Sequence, residues 1–537
     1  MLYVTITAAY DTRSTRSGWL RTLPARLFGL ALLLLATTLG SGCASIDFDY
    51  PKTASTAPTD TQDTRLGRLA ENLPDAPPGA APFYPIPDGV EALSVRVLMA
   101  QAAERTIDAQ YYLITDDITG YLFLRELLRA ADRGVRVRLL LDDIQTKGYG
   151  AGMRALSAHP NFELRIFNPF VQRSWRGLSV LTGDLRRVNR RMHNKSFTVD
   201  NQATVIGGRN IAAEYFGAHD LEHFGDLDLL GLGPIAQDVS SMFDQYWNDR
   251  LAVPVAALTG EPQDPESELA AMREHMETAL KDVETSPYGG ALSSSALEVR
   301  TREPESLLWA PYDLVFDPPR KADARRPDDL ETIVTPLVEI VMGAESELFV
   351  LSPYFVPRKP ALEGFRTLRE RGVKTTVVTN SLAANNHSVV HAGYMGSRKP
   401  LLELGVELYE VRPDAVGRGP NLGDPPTIRS TLHTKAFIVD RRWVFIGSFN
   451  WDPRSAHINT EMGILLDSPE LAAEFLEEAT SVLDTSTYRV VLNDAGYLRW
   501  VTEDDGQEVV WDKEPRTGFW KRVRVQLMRL LPIKGQL

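Results

Sequence analysis

Apolar residues in VRVLMAQAAERT, Val95 to Thr106, recur at helical spacing, and IDAQYYLI, Ile107 to Ile114, follows as a strand. GYLFLRELLRAADRGV, Gly120 to Val135, is an amphipathic helix that Gly134 ends, and RVRLLLDD, Arg136 to Asp143, is a nearly continuous apolar strand. Strand, helix and strand, with the strands apolar on both faces, predict a parallel, helix-covered sheet. The pattern then repeats. TPLVEIVMGAESELFVLSPYFV, Thr335 to Val356, precedes PALEGFRTLRERGVKTTVVTN, Pro360 to Asn380, where a helix again ends in Arg-Gly-Val before a strand.

Arg133-Gly134-Val135 and Arg371-Gly372-Val373 lie 238 residues apart (371 − 133). A second landmark agrees with the first. RMHNKSFTVDNQATVIGGRN, Arg191 to Asn210, returns as TLHTKAFIVDRRWVFIGSFN, Thr431 to Asn450, with its histidine displaced by 240 residues (433 − 193). Two landmarks at nearly one offset predict an internal duplication, with halves at residues 89–253 and 330–490. Residues 254–329, in which acidic helical sequence alternates with Pro, Gly and Ser clusters, read as the connection between them. Residues 44–88, rich in Pro, Ala, Thr and Asp with little periodicity, read as an extended tether. Residues 491–537 form a tail that ends in a basic amphipathic helix.

The chain has 537 residues and is 43% hydrophobic, enough for large cores. Its formal charge of −13 argues against nucleic-acid binding by bulk electrostatics. A lone cysteine excludes an internal disulfide. Its position points elsewhere: Arg13, Arg16, Arg21 and Arg26 precede the apolar run Leu27 to Leu39, and GSGC follows. That is the layout of a signal peptide, and the run is shorter than the ~20 residues that a spanning helix needs. Small residues before Cys43 resemble a bacterial lipoprotein signal, although Gly40 stands where Leu is usual and Leu39 lies one residue early. Residues 1–43 are therefore expected to direct export and to leave a lipid-anchored Cys43 on the periplasmic side of the membrane; an uncleaved signal anchor is the alternative.

In HNKSFTVD and HTKAFIVD, Phe and Val alternate with polar positions, which predicts a strand running into a turn. His193 and Lys195 then project from one face, as do His433 and Lys435. Gly207-Gly208 and Gly447-Ser448 allow a close backbone approach, and Asn210 and Asn450 follow two residues later. A single His and Lys on a half-exposed strand would be solvated side chains, but that reading does not explain two copies with matched Asp, Gly and Asn. The doubled motif resembles that of the phospholipase D superfamily, over most of the chain from about Val90 onward. GGRNIAAEYFG, TNSLAANNHSVVHAGY and GSFNWDPRSAHINTEMG are similar to the bacterial cardiolipin synthases of the C type.

The resemblance implies two fused α/β halves, each a mixed sheet between helices, related by pseudo-two-fold symmetry around one active site at their interface. It implies phosphatidyl transfer to phosphatidylglycerol, from phosphatidylethanolamine or a second phosphatidylglycerol, through a phosphohistidine. Phospholipase D hydrolysis to phosphatidic acid is the alternative within the same chemistry. By the same resemblance His193 is the nucleophile and His433 the acid and base. Lys195, Lys435, Asn210 and Asn450 surround the phosphoryl oxygens, while Asp200 and Asp440, which complete the motifs at the strand ends, are expected to fix the motif loops rather than touch substrate. Glu461, in NTE, would orient His193. In FGDLDLL, Asp226 would do so for His433, with Asp228 as the alternative. Ser448 follows the family pattern, while Gly208 replaces it in the first half and offers a backbone N–H. No cofactor and no metal is implied. His387 and His391 have helical i, i+4 spacing but no carboxylate or Cys nearby to complete a metal site. His159, His219, His223, His275 and His457 show no constellation.

Two stretches suggest a membrane surface. Arg173, Arg176, Arg186, Arg187, Arg190 and Arg191 precede the first motif, mixed with Trp175, Leu178 and Leu181. Near the C-terminus Phe519, Trp520, Val523, Leu527, Leu530 and Leu531 form one helical stripe, with Lys521, Arg522, Arg524 and Arg529 outside it; a helix docked on the protein core is the alternative.

Overall fold

Both Arg-Gly-Val landmarks are helix ends. The helix Ile118–Asp132 begins at Asp117, whose carboxylate accepts the N–H groups of Thr119 and Gly120. It stops where Gly134 enters the left-handed region at φ +94°. Gly134 N–H donates to Ala131 O (3.0 Å) and Val135 N–H to Ala130 O (3.1 Å), a Schellman ending that buries Val135. The helix Lys359–Glu370 ends the same way, with Gly372 donating to Arg369 O and Val373 to Leu368 O. The computed structural model describes residues 46–74, 77–171, 185–219, 222–286, 288–289, 307–323, 330–415, 429–504 and 506–530. Cys43 with its signal segment, Arg173, Arg176, Trp175, Leu178, Leu181 and Leu531 lie outside them.

The first half carries β1 (Ala80–Ile86), β2 (Thr106–Tyr111), β3 (Arg136–Asp142), β4 (Phe162–Phe167), β5 (Ser196–Val199), β6 (Ala203–Gly207), β7 (Glu222–Gly225), β8 (Asp228–Leu232) and β9 (Ala252–Pro254). The connection contributes β10 (Leu308–Phe316). The second half carries β11 (Glu347–Leu351), β12 (Lys374–Asn380), β13 (Glu407–Val411), β14 (Arg429–Leu432), β15 (Ala436–Val439), β16 (Trp443–Gly447) and β17 (Met462–Asp467). Then come β18 (Thr487–Leu492), β19 (Leu498–Asp504) and β20 (Gln507–Trp511).

Six strands in the order β4-β3-β2-β5-β6-β8 repeat as β13-β12-β11-β15-β16-β17. In each block three parallel strands adjoin three that run antiparallel to their neighbours, the mixed sheet that the resemblance implied and not the parallel one that the strand pattern alone suggested. The blocks join edge to edge through β8-β1-β10-β17. Among the described residues eighteen strands thus form one sheet. Phe83, Met192, Ile206 and Leu229 of the first half share a buried cluster with Ile438, Ile446, Met462 and Ile464 of the second. Separate clusters fill the space under the helices of each half.

Three boundaries differ from expectation. The segment read as a free tether is fastened to the first half. Arg138 donates to Ser55 O (2.9 Å), Arg165 to Thr53 O (2.7 Å) and Lys52 to Ala252 O (2.8 Å), before helix Arg65–Glu71 and β1. Backbone carbonyls there satisfy guanidinium groups that are themselves buried, so the segment is held without an apolar period. The connection is structural too: helix Pro265–Ala279 packs on the first half through Met276 and an Arg273–Asp132 ion pair, and β10 bridges the two blocks. The tail contributes β19 and β20 before its helix.

Candidate active site

Each motif strand enters the site by the same local route. β5 and β6 are joined by a turn in which Asp200 and Asn201 both have positive φ, and Asp440 and Arg441 repeat this between β15 and β16. The Asp200 carboxylate accepts the N–H groups of Glu104 (3.0 Å), Arg105 (2.7 Å) and Thr106 (2.9 Å). Asp440 accepts those of Glu345 (2.9 Å), Ser346 (2.7 Å) and Glu347 (3.0 Å). Both aspartates therefore pin the far ends of the strands, away from the histidines. Asp200 and Asp440 do not join the reactive cluster.

The histidines stand just before β5 and β15, where the halves exchange backbone contacts. His193 N–H donates to Thr460 O (2.9 Å), and His433 N–H to Gly225 O (2.7 Å). The residue after each acceptor supplies a carboxylate. Glu461 Oε2 lies 2.8 Å from His193 Nδ1, and Asp226 Oδ2 lies 2.6 Å from His433 Nδ1. An ionised carboxylate only accepts, so each Nδ1 carries the proton and each Nε2 keeps its lone pair. Parallel pairing of β7 with β14 ties the halves together beside this exchange.

The two carboxylates are held differently. Glu461 accepts from Ser448 Oγ (2.5 Å) and Ser455 Oγ (2.8 Å) as well as from His193. Asp226 is one methylene shorter and sits against Gly208, where an added Cβ would fall 2.3 Å from its Oδ1. Gly208 was expected to offer its N–H; instead that group faces Leu227 O at 3.4 Å, and what the site uses is the missing side chain. Asp228, the alternative partner, pairs with Arg96 at 2.8 Å inside the first half.

Lys195 and Lys435 are buried, and their Nζ atoms donate to the carbonyls of His193 (2.6 Å) and His433 (2.5 Å). Lys435 Nζ also lies 2.9 Å from Nδ1 and 3.1 Å from Nε2 of its histidine. Burial pushes Lys195 down to about 7 and Lys435 to about 8. It also lowers His193 to about 4, and His433 to about 3 with help from Lys435, so both imidazoles rest neutral. Burial raises Asp226, but His433 and Lys435 outweigh it and bring the carboxyl to about 2. Asn210 donates to Tyr215 OH (2.9 Å), and the Oδ1 atoms of Asn210 and Asn450 are buried without a partner among the described residues.

Several site residues escaped sequence reasoning. Tyr112 meets His193 edge-on at 5.0 Å, and Phe224 stacks on His433 at 5.3 Å. Tyr215 and Tyr354 close the second histidine edge-on at 4.9 and 6.4 Å. At the ends of β3 and β12, Asp142 accepts Met192 N–H (2.9 Å) and Arg191 (3.2 Å), while Asn380 grips the N–H (2.9 Å) and carbonyl (2.8 Å) of Leu432. These equivalent clamps hold the residue before each histidine. Their 238-residue offset, equal to that of Arg-Gly-Val, was the signal available.

Other expectations change. Arg187 donates to Asn168 and Pro169, Arg190 to the carbonyl of Lys321, and Arg191 to Asn168 O and Asp142. These arginines fasten loops within the protein: Arg191 is buried and Arg187 and Arg190 are half-buried, and their guanidinium groups take carbonyl and carboxylate acceptors. Arg186 alone of the described four is exposed. His391 Nε2 faces Arg398 (2.9 Å) in a buried network with Glu410 and Glu514, whereas His387 lies against Tyr354.

A family model described as "Cardiolipin synthase, PLD-like domain" matches residues 96–247 and 337–483, the two halves that carry this geometry. The chain belongs to that family. Cardiolipin synthase C of Escherichia coli (strain K12) is 39% identical over 485 residues, spanning 88% of this chain and 100% of the relative. Cardiolipin synthase A of Pseudomonas entomophila (strain L48) is 24% identical, over 70% of this chain and 63% of its own. In fold, this member of the family resembles the crystal structure of a phosphatidylserine synthase from Haemophilus influenzae Rd KW20. The TM-score is 0.55 at 14% identity, over 88% of this chain and 100% of that one.

Proposed function

We propose that this chain is a phosphatidyltransferase that makes cardiolipin from phosphatidylglycerol and a second phospholipid, phosphatidylethanolamine or phosphatidylglycerol. The observation that carries this reading is the crossed pairing of His193 with Glu461 and His433 with Asp226, which makes one site from two halves. The bound phosphodiester anion favours a proton on the Nε2 of His433, which is neutral in the free enzyme; His193 Nε2 attacks phosphorus, the bond to the leaving headgroup oxygen breaks, and His433 gives that oxygen the Nε2 proton. The hydroxyl of phosphatidylglycerol then yields its proton to His433 and attacks phosphorus, and the P–N bond breaks. Lys195 and Lys435, recharged by the incoming anion, neutralise the phosphoryl oxygens throughout.

The lipid surface is part of the proposal. The helix Phe519–Met528 buries Val525 against Leu382 and Ala392. Its predicted apolar stripe is on the opposite side, with Phe519 62%, Trp520 78%, Leu527 61% and Leu530 80% exposed. An apolar face flanked by Lys521, Arg522, Arg524 and Arg529 suits an anionic interface. Residues 1–43, with a lipid anchor on Cys43, would hold the enzyme on the periplasmic side of a membrane.

Labelled phosphatidylglycerol, with and without phosphatidylethanolamine in vesicles, tests the reading. Cardiolipin as the labelled product supports it, and phosphatidic acid alone would replace transfer by hydrolysis. Neutralising the four helix cations to Gln should release the enzyme from anionic liposomes; unchanged binding would remove the membrane role of the helix.

A further inference from the structure

Equivalent helix pairs are packed in one half and parted in the other. In the first half, helix Gly89–Ala102 lies on Ile118–Asp132, and Leu93, Leu122, Phe123 and Phe216 are fully buried there. Tyr288 completes the seal, donating its hydroxyl to Phe216 O at 2.6 Å. In the second half, helices Val334–Gly343 and Lys359–Glu370 leave a cavity of about 370 Å³ between them. That size lies within the roughly 300–1,000 Å³ of ligand pockets.

The walls are apolar: Leu337, Val338, Val341, Ala361, Phe365 and Trp451. Val338 is 51% exposed, a large aliphatic side chain open to whatever enters. The cavity meets the reactive cluster through one loop. Trp451 and Asp452, which line it, directly follow Asn450, and the Asp452 charge acts on Lys435 and Glu461. Exposed Arg358 stands at the rim.

We propose that this groove binds one acyl chain of the phospholipid whose phosphate is held by His193 and His433. The proposal rests on the phosphatidyl-transfer reading and adds a subsite to it. A phospholipid joins an anion to long apolar chains, and the groove is an apolar space that shares a loop with the phosphoryl site. The fold does not demand an opening there, since the other half fills the same place with its own side chains.

Filling the groove tests this. Gly364 faces it, and an added Cβ would meet only Met342 Sδ at 3.4 Å. Gly364→Leu combined with Ala361→Phe directs added side-chain volume into the groove, which Ala361 and Gly364 both line. Monomeric dibutyryl, dihexanoyl and dioctanoyl phosphatidylglycerols provide the readout. In the wild type, kcat/KM should rise with chain length by at most roughly fourfold per buried methylene. The double variant should keep the wild-type rate on the dibutyryl lipid and lose the rise. A phosphatidylglycerol carrying a diazirine at its acyl terminus should label residues 334–343 and 359–370 in the wild type only. An unchanged slope in the variant, or labelling confined to other segments, overturns the proposal while leaving phosphatidyl transfer intact. A wild type that turns over none of these lipids overturns both.

Discussion

The imidazole of His193 and the carboxylate of Glu461, 268 residues apart in the chain, meet at 2.8 Å, and the carboxylate takes its remaining hydrogen bonds from Ser448 and Ser455. A buried carboxylate so placed fixes the ring and leaves Nε2 unprotonated. Glu461→Gln preserves shape but can present an N–H to Nδ1, which favours the wrong tautomer. We expect kcat to fall on the order of 10²- to 10⁴-fold with little change in KM, as for other carboxylate–histidine pairs. Steady-state kinetics on a soluble phosphodiester check this, and Asp226→Asn should behave alike.

The inequality between Ser448 and Gly208 gives a second expectation. Gly208→Ser brings a Cβ to 2.3 Å from Asp226 Oδ1, so the aspartate must move away from His433. Activity should drop sharply even though the substitution copies the residue of the other half. Ser448→Ala instead removes a hydrogen bond to a charged group, costing about 1.5–3 kcal/mol in thermal unfolding.

The lysines set a pH dependence. Lys195 and Lys435, lowered by burial to about 7 and 8, must be charged to bind a phosphoryl anion. The kcat/KM of the free enzyme should therefore decline as pH rises through 7–8, well below the usual range of lysine. An arriving anion favours the charged ammonium, so binding inorganic phosphate at pH 8 should take up protons. Calorimetry in buffers of different ionisation enthalpy measures this, and proton release would have the wrong sign.

Asn380 donates to and accepts from the backbone of Leu432, so it needs an amide. Asn380→Asp places a carboxylate oxygen against Leu432 O. It should cost about 1–3 kcal/mol and lower kcat by loosening His433. Asp142→Asn should be destabilising as well, because Arg191 loses its buried counter-charge. Denaturant titrations compare the two.

Much of this was legible because the motif is local and doubled. Spacing alone located His193, Lys195, His433 and Lys435, and Arg-Gly-Val marked two helix ends that depend on left-handed glycines. Asp200 and Asp440, which the motif groups with the reactive residues but whose place at the strand ends pointed to fixing the loops, cap distant backbone N–H groups. The fastening of residues 52–61 left no trace in hydropathy, since backbone carbonyls and polar side chains, not apolar ones, make the bonds. Tyr112, Phe224 and Tyr354 reach the histidines from loops or the opposite half, and no spacing within one segment encodes such contacts. The C-terminal stripe was readable, but burial of Val525 on the far side, which leaves that stripe open, was not.

The most direct measurement follows the covalent adduct in two variants, using a phosphatidyl ester of p-nitrophenol whose leaving group needs almost no protonation. With His193 as nucleophile, His433→Ala should release nitrophenolate once and accumulate an acid-labile phosphohistidine, because the second step lacks its base. His193→Ala should form none. An adduct on His193→Ala and none on His433→Ala would reverse the two roles, and full turnover by either variant would contradict a site built from both histidines.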